Sequence, residues 1–321
     1  MAISLFSFHL HGETENKEKV GFLWKISGNG LPQPSYLLGT HHAFPEEFVY
    51  RIPQFSETFY SMEQLIVEID IDPSDTASLR QMALSFSTKE RYLPPQVKYS
   101  ELLDKDDFRL LDSLSLKHLG HGADENRASP MILGDNIVKR LFKELGELLA
   151  QEGVSDSVQS DSLMIFFNSV QSRRLPMDLA LTESARARKL SIVGLDVSKG
   201  QVIMKPLPNV PLEQELRTLM LQLKNYEKQL EIAGLILSAY FEQDLQTAME
   251  LRNTENQLSG WTDGDDPKVN TKQRNLDWIP IIEFAIQEKK SMIAVGAGHL
   301  LGEYGLINLL RQKGYTVEEF K

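Results

Sequence analysis

The sequence contains no cysteine, and this absence removes several kinds of chemistry. Disulfides, thiolate zinc sites and cysteine nucleophiles are all excluded. A metal ion bound by this chain would have to be held by histidine and carboxylate side chains. These ligands suit zinc, manganese, cobalt or iron better than copper(I) or an iron–sulfur cluster.

Basic residues are scarce relative to acidic ones. The 321 residues include 34 lysines and arginines against 45 aspartates and glutamates, and the formal charge is -11. Binding to nucleic acid or to an anionic membrane surface needs clustered cations that neutralise phosphate. We therefore expect a peptide or small-molecule substrate, or a metal ion, and no nucleic acid.

Long hydrophobic runs are also missing. No stretch of about 18 apolar residues is present that could span a bilayer. The first eight residues are mildly apolar, but no positively charged segment precedes them and polar residues interrupt the run from His9 onwards. A secretory signal is therefore not predicted. We expect a soluble, cytoplasmic chain, with export and the oligomeric state left open.

Two short segments, far apart in the chain, form a pair. One β-prone run ends at residues 39–42 (GTHH) and another ends at residues 296–299 (GAGH), so each has a histidine three residues after a glycine. Glycine at the carboxyl end of a strand lets the backbone turn sharply, so the histidine can project over the sheet edge. Two such turns predict one shared site, because open α/β sheets place their sites at strand ends.

The flanking segments predict an α/β fold. The first turn is followed by a helical segment and by residues 64–70, a strand-like run with Glu68 in its apolar middle. The second is followed by a helical pattern over 300–313 and a strand over 315–320 that also carries carboxylates. This similarity indicates a degenerate internal repeat. We predict a central mixed β-sheet built from two degenerate strand, Gly-x-x-His, helix, strand halves.

The middle of the chain is mostly helical in pattern. Residues 91–174 are interpreted as a large helical insertion or cap within a single domain spanning 1–321, and residues 1–20 as an N-terminal arm. A helix over 178–189 followed by an apolar run at 190–196 predicts a return to the sheet. Further predicted elements are helices at 73–87, 101–116, 130–149 and 160–170, a hairpin within 21–38, and a mobile acidic loop over 253–270.

A leucine stripe over residues 212–230 predicts one long amphipathic helix. Such a stripe can dimerise, but it is too short to require a coiled coil. We interpret it as a helix that packs on the core or on the cap.

The two turns carry the candidate chemistry. His42 and His299, with Glu68 on an adjacent strand, would form a His-His-carboxylate set. Three protein ligands and an open position are what a hydrolytic metal site requires, because the ion acidifies bound water and polarises a carbonyl. Arg274 and Asn275 could stabilise a developing oxyanion or orient the substrate.

The plainer interpretation stays open on spacing alone. Both histidines could simply be hydrogen-bonded, and Glu68 could pair with an arginine such as Arg274. A separate His-x-x-His pair, His118 and His121, has no nearby carboxylate pattern, and we expect it to be structural or solvated. No Gly-x-Ser-x-Gly elbow or His-Glu-x-x-His helix is present as a competing site.

Several segments match one known family in the same order along the chain. They are LWKISG (23–28), YLLGTHH (36–42), IVEID (66–70), Met177-Asp178 with Leu181 and Ala185, Arg274-Asn275 with Trp278, VGAGHL (295–300), and the ending 305–317. With these segments the chain resembles the TraB/GumN family, also called TraB/PrgY, whose relatives include the Tiki proteins that cleave Wnt.

The resemblance implies a fold like that of the erythromycin esterase and ChaN proteins, an α/β core with helical insertions. It implies that His42, Glu68 and His299 belong to the site of a divalent-metal-dependent protease, with manganese or cobalt favoured and zinc possible. Asp178 would support or position this site. Asp196 stands where the family is expected to have glutamate, so its role is left open.

Three hypotheses follow. The first is a metal-dependent hydrolase, with peptide bonds as the expected target. The second is a binding protein without catalysis that holds a peptide or haem-type ligand in the same cleft. The third is an esterase without proteolytic activity, because fold and site transfer between relatives better than substrate does.

Overall fold

The fold is given by a computed structural model, which describes residues 19–41, 46–70, 76, 92–152, 177–198, 201–202, 210–260 and 271–321. Several predicted features lie outside the described residues. They are His42, the arm up to residue 18, most of the helix at 73–87, the helix at 160–170 and the aspartates of the acidic loop.

The described strands form one mixed β-sheet, as predicted. Its seven strands follow the order β5-β4-β3-β6-β2-β1-β7. Their bounds are β1 Leu23–Ser27, β2 Ser35–Thr40, β3 Gln64–Ile69, β4 Ser191–Ser198, β5 Gln201–Val202, β6 Ser291–Gly296 and β7 Thr316–Glu319. The adjacent strands β4, β3, β6 and β2 are parallel, whereas β1 pairs antiparallel with β2, as the predicted hairpin requires. The parallel strands are nearly continuous apolar runs because both faces of the sheet are covered.

Helices make up most of the remaining described chain. Their bounds are α1 Phe55–Tyr60, α2 Tyr99–Leu102, α3 Lys105–Leu119, α4 Pro130–Glu152, α5 Met177–Ala187, α6 Leu212–Lys224, α7 Tyr226–Phe241, α8 Leu245–Leu258, α9 Thr271–Glu288 and α10 Leu306–Gln312. Short 3-10 helices cover Glu46–Arg51, Ala123–Glu125 and Ala297–His299. In the described part of the chain, no helix is both long enough and apolar enough to cross a membrane.

The strands that lead into the two Gly-x-x-His segments, β2 and β6, are parallel neighbours in the sheet, so both strands end at the same edge. Gly39 of β2 lies opposite Val295, and Thr40 lies opposite Gly296 of β6. The two segments are therefore staggered by one residue. A side chain at Gly39 would come within 3.1 Å of Ala297 and Leu300, so glycine lets the second turn pack directly on β2.

The strands that follow the two turns occupy unequal positions. β3 pairs with β6 in the centre of the sheet, whereas β7 pairs with β1 at the far edge. Glu319 of β7 accepts a hydrogen bond from the Gly21 backbone N–H at 2.7 Å. The sheet therefore places the carboxylate of the first predicted half centrally and leaves that of the second half at the edge, because the β1–β2 hairpin adds β1 between β2 and β7.

The buried apolar residues form two clusters. The larger one joins both faces of the sheet to α1, α5, α7, α9 and α10. The smaller one joins α2, α3 and α4 to α6 and includes Tyr99, Leu111 and Leu133. The helices of residues 92–152 thus have apolar packing of their own, while the insertion boundaries at 91 and 174 stay a prediction.

The single long helix predicted for 212–230 is wrong. Helix α6 ends at Lys224 and α7 begins at Tyr226, because Asn225 between them leaves the helical conformation with φ -111° and ψ 14°. The Asn225 amide donates to the Leu221 carbonyl at 2.8 Å, so its side chain competes for the carbonyls of the helix end. Leu219 and Leu223 are buried in the smaller cluster, as expected of a packing helix.

Candidate functional site

Polar side chains from two strands, one turn and one helix meet at the carboxyl edge of the parallel strands. Glu68 comes from the end of β3, Asp196 from β4, and His299 from the 3-10 turn after β6. Helix α9 packs against β4, β6 and that turn, and it carries Arg274 and Asn275 near its start. Glu68 and His299 therefore meet at this edge of the sheet.

Arg274 is the centre of the cluster. Its Nη2 donates to Glu68 Oε2 and to Asp196 Oδ2, the latter at 2.6 Å, and its Nε donates to Asp196 Oδ2 at 3.0 Å. The side chains of Arg274, Glu68 and Asp196 are only 16%, 12% and 4% exposed. One guanidinium therefore binds two carboxylates in a site with little access to water.

This environment acts on the pKa values of both partners. Burial raises the pKa of Asp196 above its ordinary value, although Arg274 and the Trp278 indole oppose the increase. Burial lowers the pKa of Arg274, but the charges of Glu68 and Asp196 outweigh burial and raise it overall. Arg274 is therefore held firmly in its protonated form.

Asp196 is held in place by a bulge and by an indole. Val67 lies opposite Gly194 and Ile69 lies opposite Val197, so Leu195 and Asp196 together face the one residue Glu68. A Cβ at Gly194 would stand 1.7 Å from the Val197 carbonyl oxygen, so only glycine fits this bulge. Bulges of this kind re-aim side chains next to functional sites.

The second carboxylate oxygen of Asp196 binds Trp278. The Trp278 Nε1–H donates to Asp196 Oδ1 at 2.7 Å, while the Arg274 guanidinium lies over the Trp278 ring at 4.6 Å. Trp278 is one helical turn after Arg274, which places both side chains on one face of α9. The indole thus orients the Asp196–Arg274 pair.

The glycine of the second turn also contacts the site. The Gly296 backbone N–H donates to Glu68 Oε1 at 2.7 Å. A Cβ at this position would lie 3.2 Å from the same oxygen, closer than an ordinary contact. Gly296 therefore serves both the turn and the orientation of Glu68.

His299 is buried between the helix and the carboxylate. Its Nδ1 lies 2.6 Å from Asn275 Oδ1, and its Nε2 lies 3.2 Å from Arg274 Nη1 and 4.0 Å from Glu68 Oε1. The ring packs against Trp278 with centroids 4.4 Å apart. Both ring nitrogens are thus directed at specific partners.

The remaining sequence candidates have varied positions. His42 lies outside the described residues, but its neighbour His41 packs edge-on against Tyr240 with ring centroids 4.6 Å apart. Asp178 lies in the first turn of α5, a helix that contacts β3 and β4, and its supporting role stays a prediction. His118 is buried at the end of α3, and the Nδ1 of His121 contacts the Gly122 carbonyl.

Sequence reasoning left the role of Asp196 open and assigned none to Trp278 or to the Gly296 N–H. A signal for Asp196 was present, because it ends a predicted parallel strand beside the strand of Glu68. For Trp278 the signal was its four-residue spacing from Arg274. The hydrogen bond from the Gly296 N–H to Glu68 could not be predicted, because nearly every residue type has a backbone N–H and the sequence does not show which one will donate.

The donor chemistry fits a divalent ion in part. Within the described ranges, no group of three or more His, Asp or Glu residues is arranged to hold a metal ion. His299 Nε2 and Glu68 Oε1 supply two donors at 4.0 Å from each other. Two ligands of one tetrahedral ion, each about 2.0–2.2 Å from it, lie ~3.3–3.6 Å apart, so these two atoms would have to move about half an ångström closer to share an ion.

The fold and site define an α/β protein with a buried histidine, carboxylate and arginine cluster at the carboxyl ends of its parallel strands. The chain belongs to the TraB/PrgY/gumN family, whose family model matches residues 22–319. The matched range contains every residue of the cluster. No significant match is found among curated proteins or among solved structures. The expected likeness to the Tiki and ChaN proteins stays a prediction.

Proposed function

We propose that this family member is a divalent-metal-dependent hydrolase that acts on peptide bonds. The observation that carries the proposal is the meeting of His299 and Glu68 at the strand ends, with Nε2 and Oε1 4.0 Å apart. The other ring nitrogen of His299 is hydrogen-bonded to Asn275, as is usual for metal-binding histidines. His42, the expected third ligand, lies outside the described residues, two positions after the last residue of the neighbouring strand β2.

Each residue has a distinct task under this proposal. His299, Glu68 and His42 hold the ion, with manganese or cobalt favoured by the family resemblance and zinc allowed by the donor set. When bound, the ion supplies a water of lowered pKa and polarises the substrate carbonyl. Glu68 would also accept a proton from the attacking water, because it is the carboxylate next to His299.

Arg274 supplies positive charge beside the reacting groups. Its guanidinium is fixed by Asp196, which Trp278 holds in turn, so little reorganisation is needed when an oxyanion develops. Arg274 also donates to both candidate ligands, Glu68 and His299. At His299 the guanidinium and a divalent ion therefore compete for the Nε2 lone pair, whereas at Glu68 Arg274 binds Oε2 and the candidate donor is Oε1. Asp196 is the contact that Arg274 can retain.

Metal titration tests the proposal most directly. Mn²⁺, Co²⁺ and Zn²⁺ are titrated calorimetrically into the wild-type protein and into the His42→Ala and His299→Ala variants. We expect about one ion per wild-type chain and loss of binding in both variants. His121→Ala is the matched control, because His121 is a half-buried histidine whose Nδ1 contacts a backbone carbonyl.

Cleavage of a mixed peptide library, followed by mass spectrometry, then tests the reaction. Products should appear with the ion, disappear with chelator, and be absent for His299→Ala. The absence of wild-type metal binding, or equal loss of binding in His121→Ala, would contradict the proposal. If the protein cleaves esters but not peptides, the proposed metal site would stand, but the substrate would be an ester and not a peptide.

A second candidate is a binding protein for a peptide or haem-type ligand. It is favoured by the ion pairs of Arg274, because they already compensate two buried carboxylates without another cation. In that case ligand affinity would be unchanged by chelator, and no peptide would be cleaved. The same titration and library therefore separate the two functions.

A further inference from the structure

Asn275 has an unusual setting for a residue expected to contact substrate. It is 0% exposed and lies on the inner face of α9, immediately after Arg274. Its amide binds the 299–304 segment at three points, two of them backbone carbonyls and one the His299 ring. Its amide nitrogen and oxygen therefore both form hydrogen bonds within the protein.

The two carbonyl contacts establish which way the amide points. One atom of the amide lies 3.1 Å from the His299 carbonyl oxygen and 2.7 Å from the Tyr304 carbonyl oxygen. A carbonyl can only accept a hydrogen bond, so this atom must be the NH₂ nitrogen, which has two hydrogens to donate. The remaining atom, Oδ1, can only accept.

This orientation determines which ring nitrogen of His299 carries the hydrogen. Asn275 Oδ1 lies 2.6 Å from His299 Nδ1, so the hydrogen of that contact must come from Nδ1. In a neutral imidazole only one ring nitrogen carries a hydrogen, and its partner decides which one. The Nε2 atom is then left with a lone pair, which accepts from Arg274 Nη1 at 3.2 Å.

We propose that Asn275 is a positioning residue that holds His299 in the Nδ1–H tautomer, so that Nε2 is its acceptor and ligand atom. The backbone contacts to His299 and Tyr304 keep the amide from flipping, because a flipped amide would place its oxygen against two carbonyl oxygens. Asn275 acts through His299 and does not itself bind substrate. This assignment of the tautomer is independent of the proposed hydrolase function.

Nitrogen-15 NMR of the imidazole rings reads the tautomer directly. The wild-type protein is labelled at histidine and measured at about pH 8, where an imidazole with an ordinary pKa of about 6.5 is neutral. The signals of His299 are identified by their loss in His299→Gln. We expect a protonated Nδ1 and an unprotonated Nε2, and the opposite pattern in the wild-type protein would overturn the proposal whatever the variants do.

Asn275→Leu removes the amide while keeping a side chain of similar size. We expect His299 to lose the Nδ1–H tautomer, giving either the Nε2–H form or a mixture. Asn308→Leu is the matched control, because Asn308 also donates to a backbone carbonyl, that of Glu303, and has no hydrogen bond to a histidine ring among the described residues. An unchanged tautomer in folded Asn275→Leu, or an equal change in the control, would also overturn the proposal.

A second measurement extends the inference to the metal site and rests on the proposed function. Loss of such a supporting hydrogen bond lowers metal affinity about 10- to 100-fold, and we expect that decrease for Mn²⁺ with Asn275→Leu. If the wild-type protein binds no ion, the proposed function fails while the tautomer result stands. If it binds an ion and Asn275→Leu binds equally well, the positioning role of Asn275 in ligation fails.

Discussion

Replacing Arg274 by methionine should strongly destabilise the protein at neutral pH. Methionine retains much of the length of the side chain but has no charge and no donor. Glu68 and Asp196, two carboxylates that are 12% and 4% exposed, would then lose the guanidinium that they share. Asp196 would keep the Trp278 indole, and Glu68 would keep the Gly296 N–H.

The size of the effect follows from this burial. Removing one partner of a buried ion pair costs about 3–5 kcal/mol, because an uncompensated charge is left out of water. Two carboxylates share Arg274, which favours the upper part of that range. Because all three side chains have low exposure, solvent screening reduces this destabilisation only slightly.

The loss of folding stability in Arg274→Met should be smaller at acidic pH. In the wild-type protein burial raises the pKa of Asp196 and Arg274 lowers it, so without Arg274 the pKa rises further. A carboxyl group whose folded-state pKa is raised destabilises the folded state above that pKa, and the penalty declines as pH falls towards the unfolded value of about 3.9. Arg274→Met should therefore be closest to wild type in mild acid and furthest from it near neutrality.

Urea denaturation at several pH values, followed by tryptophan fluorescence, measures this dependence. The control is Arg109→Met, because Arg109 and Asp106 form a surface pair with side chains 76% and 89% exposed. Such a pair contributes at most ~1 kcal/mol. A loss below about 1 kcal/mol for Arg274→Met near neutral pH, or a loss that does not change with pH, would refute the account of a buried charge cluster.

Two further substitutions test the support of Asp196. Gly194→Ala should destabilise the fold by about 1–3 kcal/mol or more in urea denaturation, because the new Cβ meets the Val197 carbonyl and the bulge must shift; wild-type stability would contradict that packing. Trp278→Phe should cost about 1–3 kcal/mol by removing the buried donor to Asp196. Trp24→Phe, which loses only a part-buried bond to a backbone carbonyl, should cost less, and the reverse order would be inconsistent with this role.

The sequence predicted the central part of the sheet well because the signals there are local. Apolar runs ending in Gly-x-x-His turns identify strands that stop abruptly, and parallel strands bring their carboxyl ends to one edge. Glu68 and His299 could therefore be placed together although 231 positions separate them in the sequence. The His299 contact to Asn275 could not be predicted, since it depends on the rotation of α9.

What the sequence alone determined was the mixed α/β class, the shared edge of the two turns and the identity of most side chains at that edge. The tertiary structure decided how those side chains divide their hydrogen bonds. Helix α9 delivers Arg274 to two carboxylates from different strands, and the bulge in β4 turns Asp196 towards it. Such contacts join elements far apart in the chain, and they depend on packing angles that no local pattern of residues encodes.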